Sequence, residues 1–572
     1  MQSNKSNFLT FLDQKIIKSK ITKFILYLIL SGIVSVLLYL FIYHRYPIYF
    51  TNVNWIYQRG GDTLQHQLGW EFFRNEPWHF PIGKIVSFGY PFGTNLTFLD
   101  SIPLMAIPFK ILSPLLESRF QYFGLWELIS IFFQYTIAIG IIREFTNQKI
   151  IWFFGALLLV FSPPLISRAF GHSSLTAHWI ILVAIWFCIR DYRGKKQPIW
   201  FWPFLFFLAF MIHIYFVPML LPLWAVSMFF KYRINKKFKP ILLSAFTTCI
   251  VVIAIGFCLG IFSLGISDLE GWGYGHYSWN MNGFINPHGA SSILRGMKLG
   301  TDGQYEGFSY LGLGIILLSL LGFSLYTQKD FKKLHLTFIV PFVISSMLYS
   351  LIAITNKGFL NERLIWDFAL SDKLLSYLSV FRASGRFIWP VFYLICIFSI
   401  AAIIRNTKRP IFFILLAIAI QIIDIQPLYT ISGLDHFVRY EDPLSSQFWQ
   451  STSEHNKNIL IYPANGSAMD IYGPLAGYAE KNNLTLNWGY FARSNKAAME
   501  EYAEEQVKKL EEGKGNSETL YIFYNDQGYQ FLENLDAENV VICEIDGYQI
   551  VFTKQNGAFD ESQAWMDSCY SP

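Results

Sequence analysis

Long apolar runs separated by short polar connections fill the first three-quarters of the chain. Runs of about 17 or more apolar residues predict about eleven membrane-spanning helices, at 24–43, 120–142, 150–166, 175–189, 198–214, 215–230, 240–264, 308–326, 334–354, 387–404 and 410–427. The fourth to sixth runs are short, and the fifth and sixth can also be read as one. Between the first two runs lies a polar and aromatic stretch, 44–119, read as a large external loop. Inside it, 101–116 is apolar but interrupted by Pro103, Pro108 and Pro114, which suits an interfacial or re-entrant segment. From about residue 430 the pattern changes: 458–464, 484–491, 519–525 and 540–554 read as strands, with a hairpin turn at Asp546-Gly547, and 496–512 as an amphipathic helix. The expected architecture is a polytopic α-helical membrane domain, 1–429, followed by an external α/β domain, 430–572.

Composition agrees with that class. The chain is 53% hydrophobic and only 15% charged, where a soluble domain carries roughly a quarter charged residues. The formal charge of +5 matters less than its placement. With the N-terminus inside, the loops 143–149, 190–196, 231–239, 329–333 and 405–409 all face the cytoplasm, and all are short and basic. This register puts the C-terminal domain outside. Lys15, Lys18, Lys20 and Lys23 precede the first run without a small-residue cleavage pattern, so that run reads as a signal anchor. Cys188, Cys249, Cys258 and Cys396 fall within apolar runs, whereas Cys543 and Cys569 fall in the external domain, where a disulfide between them is plausible. The chain shows no CxxC pair, P-loop or GxSxG elbow, and no nucleic-acid partner is expected.

Polar residues near the runs cluster toward one side: Glu127, Arg168, His172, His178, His213 and Asp424. No series of ionisable residues crosses the midplane, which favours an outward-facing cavity over a transport path. The richest stretch is centred on Arg59-Gly60-Gly61-Asp62-Thr63-Leu64-Gln65-His66, where two glycines permit a tight turn that presents a carboxylate at the membrane face.

Several stretches together resemble DUF6311, a family of bacterial membrane proteins of unknown function: Gly60 to His66, Tyr90 to Thr94, Asp100 to Pro103, Gly171-His172 through Ala177-His178-Trp179, Tyr305 to Gly312, and Phe381 to Phe387. The similarity covers most of the membrane part. More distantly, the layout resembles the GT-C superfamily of polyprenyl-phosphate-sugar-dependent glycosyltransferases, with an essential acidic residue near the start of a large first external loop. Asp62 stands at that position, alone where many of those enzymes carry an acidic pair. The resemblance implies a bacterial inner-membrane enzyme. It would move a sugar from a polyprenyl-phosphate donor to a cell-envelope glycan or lipid. A flippase for lipid-linked glycans and a non-catalytic assembly scaffold are the alternatives.

Such transfer needs a base for the acceptor hydroxyl and cationic help for the leaving phosphate. Asp62 fits the base; as a plain structural residue it would cap an external helix. Asp100 either contacts substrate or caps the Pro-rich segment. Asp62 and His66, one helical turn apart, also fit a divalent metal, a spacing common by chance. Arg382 and Arg386 at a helix entrance suit a phosphate or, equally, anionic lipid headgroups; Arg168 is a lesser phosphate candidate. His172 and His178 read as substrate contacts or packed polar residues, and Glu306 as a sugar ligand or helix cap. The Gly-Trp-Tyr run Trp272 to Trp279 suits stacking on sugar rings or anchoring at the interface.

Overall fold

The computed structural model describes residues 20–263, 271–327, 336–429, 434, 436, 439–536, 538–558 and 563–570. The basic positions Lys15, Lys18 and 329–333 lie outside the described residues. Among the described residues, six helices are long and apolar enough to cross a membrane: Phe24–Tyr43, Phe123–Ile142, Ser173–Tyr192, Lys239–Leu259, Leu336–Ile354 and Ser384–Asn406. Shorter apolar helices, Lys149–Val160, Phe201–Ile212, Leu313–Thr327 and Pro410–Asp424, and the longer Phe216–Asn235 pack among them.

Their burial sorts the bundle into centre and rim. Ser173–Tyr192 and Ser384–Asn406 are 89% and 83% buried, whereas Lys239–Leu259 is only 17% buried although it is among the most apolar. An apolar helix with an uncovered surface needs lipid around it.

Two expected spans break where their sequence requires it. The run at 150–166 stops at Val160, and Pro163-Pro164 opens a separate short helix, Pro163–Arg168, because proline has no amide to continue the first one. The fifth and sixth runs stay separate, since His213 adopts extended backbone between Phe201–Ile212 and Phe216–Asn235.

In the first polar stretch, Asn54–Arg59 ends at Gly60 and Gly61–Asn75 begins at once. Gly60 and Gly61 have φ of 62° and 50°, which an L side chain adopts only under strain, so these two glycines make the corner that delivers Asp62. A small hairpin pairs β1 (Lys84–Ile85) with β2 (Thr94–Asn95). The apolar segment near residue 101 becomes the helix Pro103–Ile111, entered through left-handed Asp100 and Ile102. A second hairpin, β3 (Lys357–Leu360) with β4 (Arg363–Asp367), precedes the Ser384–Asn406 helix.

The C-terminal part is a six-stranded sheet with helices, in the order β10-β8-β9-β7-β5-β6. Its strands are β5 (Asn458–Tyr462), β6 (Thr485–Leu486), β7 (Thr519–Phe523), β8 (Val540–Ile545), β9 (Tyr548–Thr553) and β10 (Cys569–Tyr570). The β8–β9 turn at Asp546-Gly547 has positive φ at both residues, the twist-matched hairpin geometry. A disulfide joins Cys543 in β8 to Cys569 in β10. The expected strand at 484–491 is much shorter, because the chain leaves the sheet after Leu486 to reach the helical part. There Ala492 N donates to Phe98 O, and the Gln65 amide donates to Tyr490 O.

Candidate functional site

The excursion at 488–493 closes one wall of a cavity of about 170 Å³. Its other walls come from the start of the Gly61–Asn75 helix, the Asp100 turn, His172, the residues after Ile212, the turn at Tyr305-Glu306 and the segment 380–386. Outward, Arg382, Tyr490, Ala492 and Arg493 are shared with a larger space of about 540 Å³ roofed by the sheet domain. The site therefore sits where the helical bundle meets the C-terminal domain.

Asp62, in the first turn of its helix, keeps 34% of its side chain exposed, so a ligand can reach it. Its Oδ2 lies 3.2 Å from His172 Nε2. Across the cavity, Asp100 takes a left-handed backbone (φ 52°) and its Oδ1 lies 3.4 Å from His213 Nε2. Burial pushes the Asp100 carboxyl up to about 7, against the pull of Arg386 and with Asp62 adding to the rise. Behind these, His66 is buried on the same helix as Asp62, and its Nε2 has no hydrogen-bond partner among the described residues. Burial, helped by neighbouring His172, brings the His66 pKa down to about 3, so the ring is neutral near pH 7. Burial also lowers His172, and Asp62 opposes it.

The cationic side is built around Glu306. Arg386 donates to it through Nε (2.9 Å) and Nη2 (2.8 Å), and Arg168 Nη1 approaches at 2.9 Å. Arg168 also donates to the Tyr305 and Glu306 carbonyls. Burial alone would push the Glu306 carboxyl up, but the two guanidiniums hold it well below the usual range. Gly385 makes the approach possible: a Cβ there would sit 2.7 Å from the Gly307 backbone. Arg382 lies over the Tyr277 ring at 5.5 Å and, among the described residues, pairs with no carboxylate. Arg493 donates to the carbonyls of Ala492 and Val380.

Asp62, Asp100, His172, Glu306, Arg382 and Arg386, far apart in the chain, all line this one cavity, and His66 backs it. His178 does not line it. Its ring lies inside the bundle, 4.5 Å from the Trp389 ring, with Nδ1 2.8 Å from the Tyr393 hydroxyl. That hydroxyl also meets Gln134 and Ser162, so His178 belongs to an interior polar network. Among the described residues, His66, Asp100 and His172 stand at metal-ligand spacing, a group that shares His66 with the expected Asp62–His66 pair. Arg382 and Arg386 do not share a helix entrance: the α-helix begins only at Trp389, set by Pro390, and a 3-10 turn precedes it. Arg386 and Arg168 are both engaged with Glu306, so neither offers a free guanidinium. The Trp272 to Trp279 run divides, with Trp272 exposed at the outer space, Tyr277 in the cavity and Trp279 buried on Ser309.

The sequence pattern does not single out Arg493 or Tyr490, and it gives His213 no role beyond its position near the outer side. The aromatic and glycine run Trp488-Gly489-Tyr490-Phe491 resembles the Trp272 run and was the available cue, masked by its strand-like pattern.

A family profile described as a domain of unknown function (DUF6311) matches residues 32–426, and one described as the DUF6311 C-terminal domain matches 448–553. No curated protein matches the chain.

Proposed function

The chain belongs to the DUF6311 family, and we propose that it transfers a sugar from a polyprenyl-phosphate donor to a cell-envelope glycan or lipid. On this reading the protein has a GT-C-like layout of about eleven spans. It lies in a bacterial inner membrane, with the N-terminus cytoplasmic and the sheet domain periplasmic. The observation that carries the reading is the convergence of an accessible carboxylate, Asp62, with the guanidiniums of Arg382 and Arg493 in one cavity beside apolar Ile214 and Ile261. A lipid-linked phosphate needs such neighbours: apolar surface for the chain and cations for the headgroup.

In the proposed reaction the acceptor hydroxyl loses its proton to Asp62, and its oxygen forms a bond to the anomeric carbon. The bond from that carbon to the donor phosphate oxygen breaks, and the electron pair leaves with the phosphate. Arg382 and Arg493 stabilise the charge that develops there. Tyr277, Tyr305 and Tyr490 offer ring faces to the sugar. Glu306 fixes the wall by holding Arg168 and Arg386.

The test is mass spectrometry of envelope glycans from a deletion strain complemented with wild type or Asp62→Asn. Loss of a base costs about 10²–10⁴-fold in rate, so Asp62→Asn at normal expression should lack the modification. Full complementation would remove Asp62 as the base. A lipid-linked glycan retained on the inner leaflet would point to a flippase instead.

A further inference from the structure

We propose that His66, Asp100 and His172 together bind one divalent transition-metal ion at the cavity floor. The three residues come from separate elements: the Gly61–Asn75 helix, the turn before Pro103–Ile111, and the turn after Pro163–Arg168. One ligand atom from each lies within 4.8 Å of the others. Ligand atoms bound at about 2.1 Å in tetrahedral geometry lie about 3.4 Å apart, so closure on an ion draws these atoms together by up to roughly 1.4 Å.

A second observation points the same way. His66 is only 2% exposed, yet among the described residues its Nε2 has no hydrogen-bond partner. A buried imidazole nitrogen beside a carboxylate and a second imidazole is normally satisfied, and a cation satisfies it here. His213 acts from behind as a positioning residue. Tyr215 N donates to His213 Nδ1 at 3.1 Å, so the neutral ring carries its proton on Nε2 and turns it toward Asp100 Oδ1. That nitrogen is thereby unavailable as a ligand but suited to orienting the carboxylate. Two imidazoles and one carboxylate favour zinc, cobalt, manganese or iron over magnesium or calcium, which prefer all-oxygen sites. Three protein ligands also leave a coordination position toward the cavity, where Asp62 stands.

This inference does not rest on sugar transfer, because the metal is measured on the protein itself. The full chain in detergent, stripped with EDTA, is titrated with Co²⁺ while its visible absorption is followed, and the bound Co²⁺ is then displaced with Zn²⁺. Saturation at about one ion per chain is expected. His66→Gln and His172→Gln should weaken Co²⁺ binding by more than about tenfold, and His213→Ala by about 10–100-fold. The absence of saturable binding to wild type, or wild-type binding in both glutamine variants, overturns the proposal. Because a variant of buried His66 can misfold, a second measurement uses wild type alone. Zn²⁺ should protect His172, which is 17% exposed, from diethyl pyrocarbonate, as read by peptide mass spectrometry. Unchanged labelling overturns the proposal equally.

Discussion

Arg386 grips both oxygens of the Glu306 carboxylate, through Nε at 2.9 Å and Nη2 at 2.8 Å, while Arg168 Nη1 lies 2.9 Å from Oε2, the oxygen that Arg386 Nε also meets. All three side chains are at least nine-tenths buried, so two guanidiniums depend on one anion. Glu306→Gln removes that anion and leaves uncompensated buried charge, which typically costs about 3–5 kcal/mol. Thermal unfolding in detergent should show a clear drop in Tm. An unchanged Tm would mean that the triad does not hold the wall together.

A second carboxylate relationship predicts a pH dependence. Glu480, on the Tyr472–Lys481 helix of the sheet domain, faces Glu71 on the Gly61–Asn75 helix, with Arg74, Asn75 and Lys481 nearby. Burial, reinforced by Glu71, pushes Glu480 up to about 8; Glu71, hydrogen-bonded by Gln67 and Tyr57, is raised too. A carboxyl whose folded pKa lies above its unfolded value adds stability that is complete below the unfolded value and lost as pH rises through the folded one. Docking of the sheet domain should therefore weaken as pH rises from about 5 to about 8, most steeply between the unfolded and folded values, and level off above the folded one. Unfolding followed across that range should show the loss, and Glu480→Gln should flatten it.

How far each feature was legible depends on how local its cause is. The Gly60-Gly61 corner and the Asp546-Gly547 hairpin are local, because glycine or aspartate at a positive φ decides each turn. The grouping of apolar runs is local too, since hydropathy reports burial or lipid contact without naming a partner. Partners are not local. Gln65 bonds Tyr490 across 425 positions, and Arg386 finds Glu306 across 80, so no periodicity could reveal that one arginine is committed and another is not. His178 reads like His172 in the chain, yet it turns inward because Tyr393, 215 residues later, offers its hydroxyl there.

The Cys543–Cys569 bridge closes a loop of 26 residues and ties the edge strand β10 to β8. On the chain-entropy account a loop of this size contributes about 3 kcal/mol. Cys543→Ser should lower the stability of the sheet domain by that order, and intact wild type should resist thiol alkylation at both positions until reduced. Equal labelling without reductant would show that the bridge is absent.

The proposed orientation has its own check. An alkaline phosphatase fused after Tyr429 should be active, because the sheet domain is proposed to lie outside. A fusion within 190–196, a short basic loop, should be inactive. The reverse pattern would move the cavity to the cytoplasmic face, where a periplasmic lipid-linked donor does not reach.

The last prediction separates two arginines only four positions apart. Arg386 is spent on Glu306, whereas Arg382 stacks over Tyr277 and, at 3.5 Å, barely reaches the Trp272 carbonyl. Arg382 is thus the guanidinium with donors to spare at the junction of the inner cavity and the outer space. Bound phosphate would take two of those donors in a planar fork that lysine cannot reproduce. Hydrogen bonds to charged groups contribute about 1.5–3 kcal/mol each. Losing one such bond corresponds to about 10–100-fold in affinity. Arg382→Lys should therefore weaken binding of a polyprenyl-phosphate donor by that factor and leave Tm unchanged. Arg386→Lys should lower Tm, because it disrupts a buried ion pair before it affects any ligand. The two variants are compared by donor binding in nanodiscs and by thermal unfolding. If Arg382→Lys binds donor as wild type does, this side chain does not contact the phosphate, and the cation at the site must be sought in Arg493.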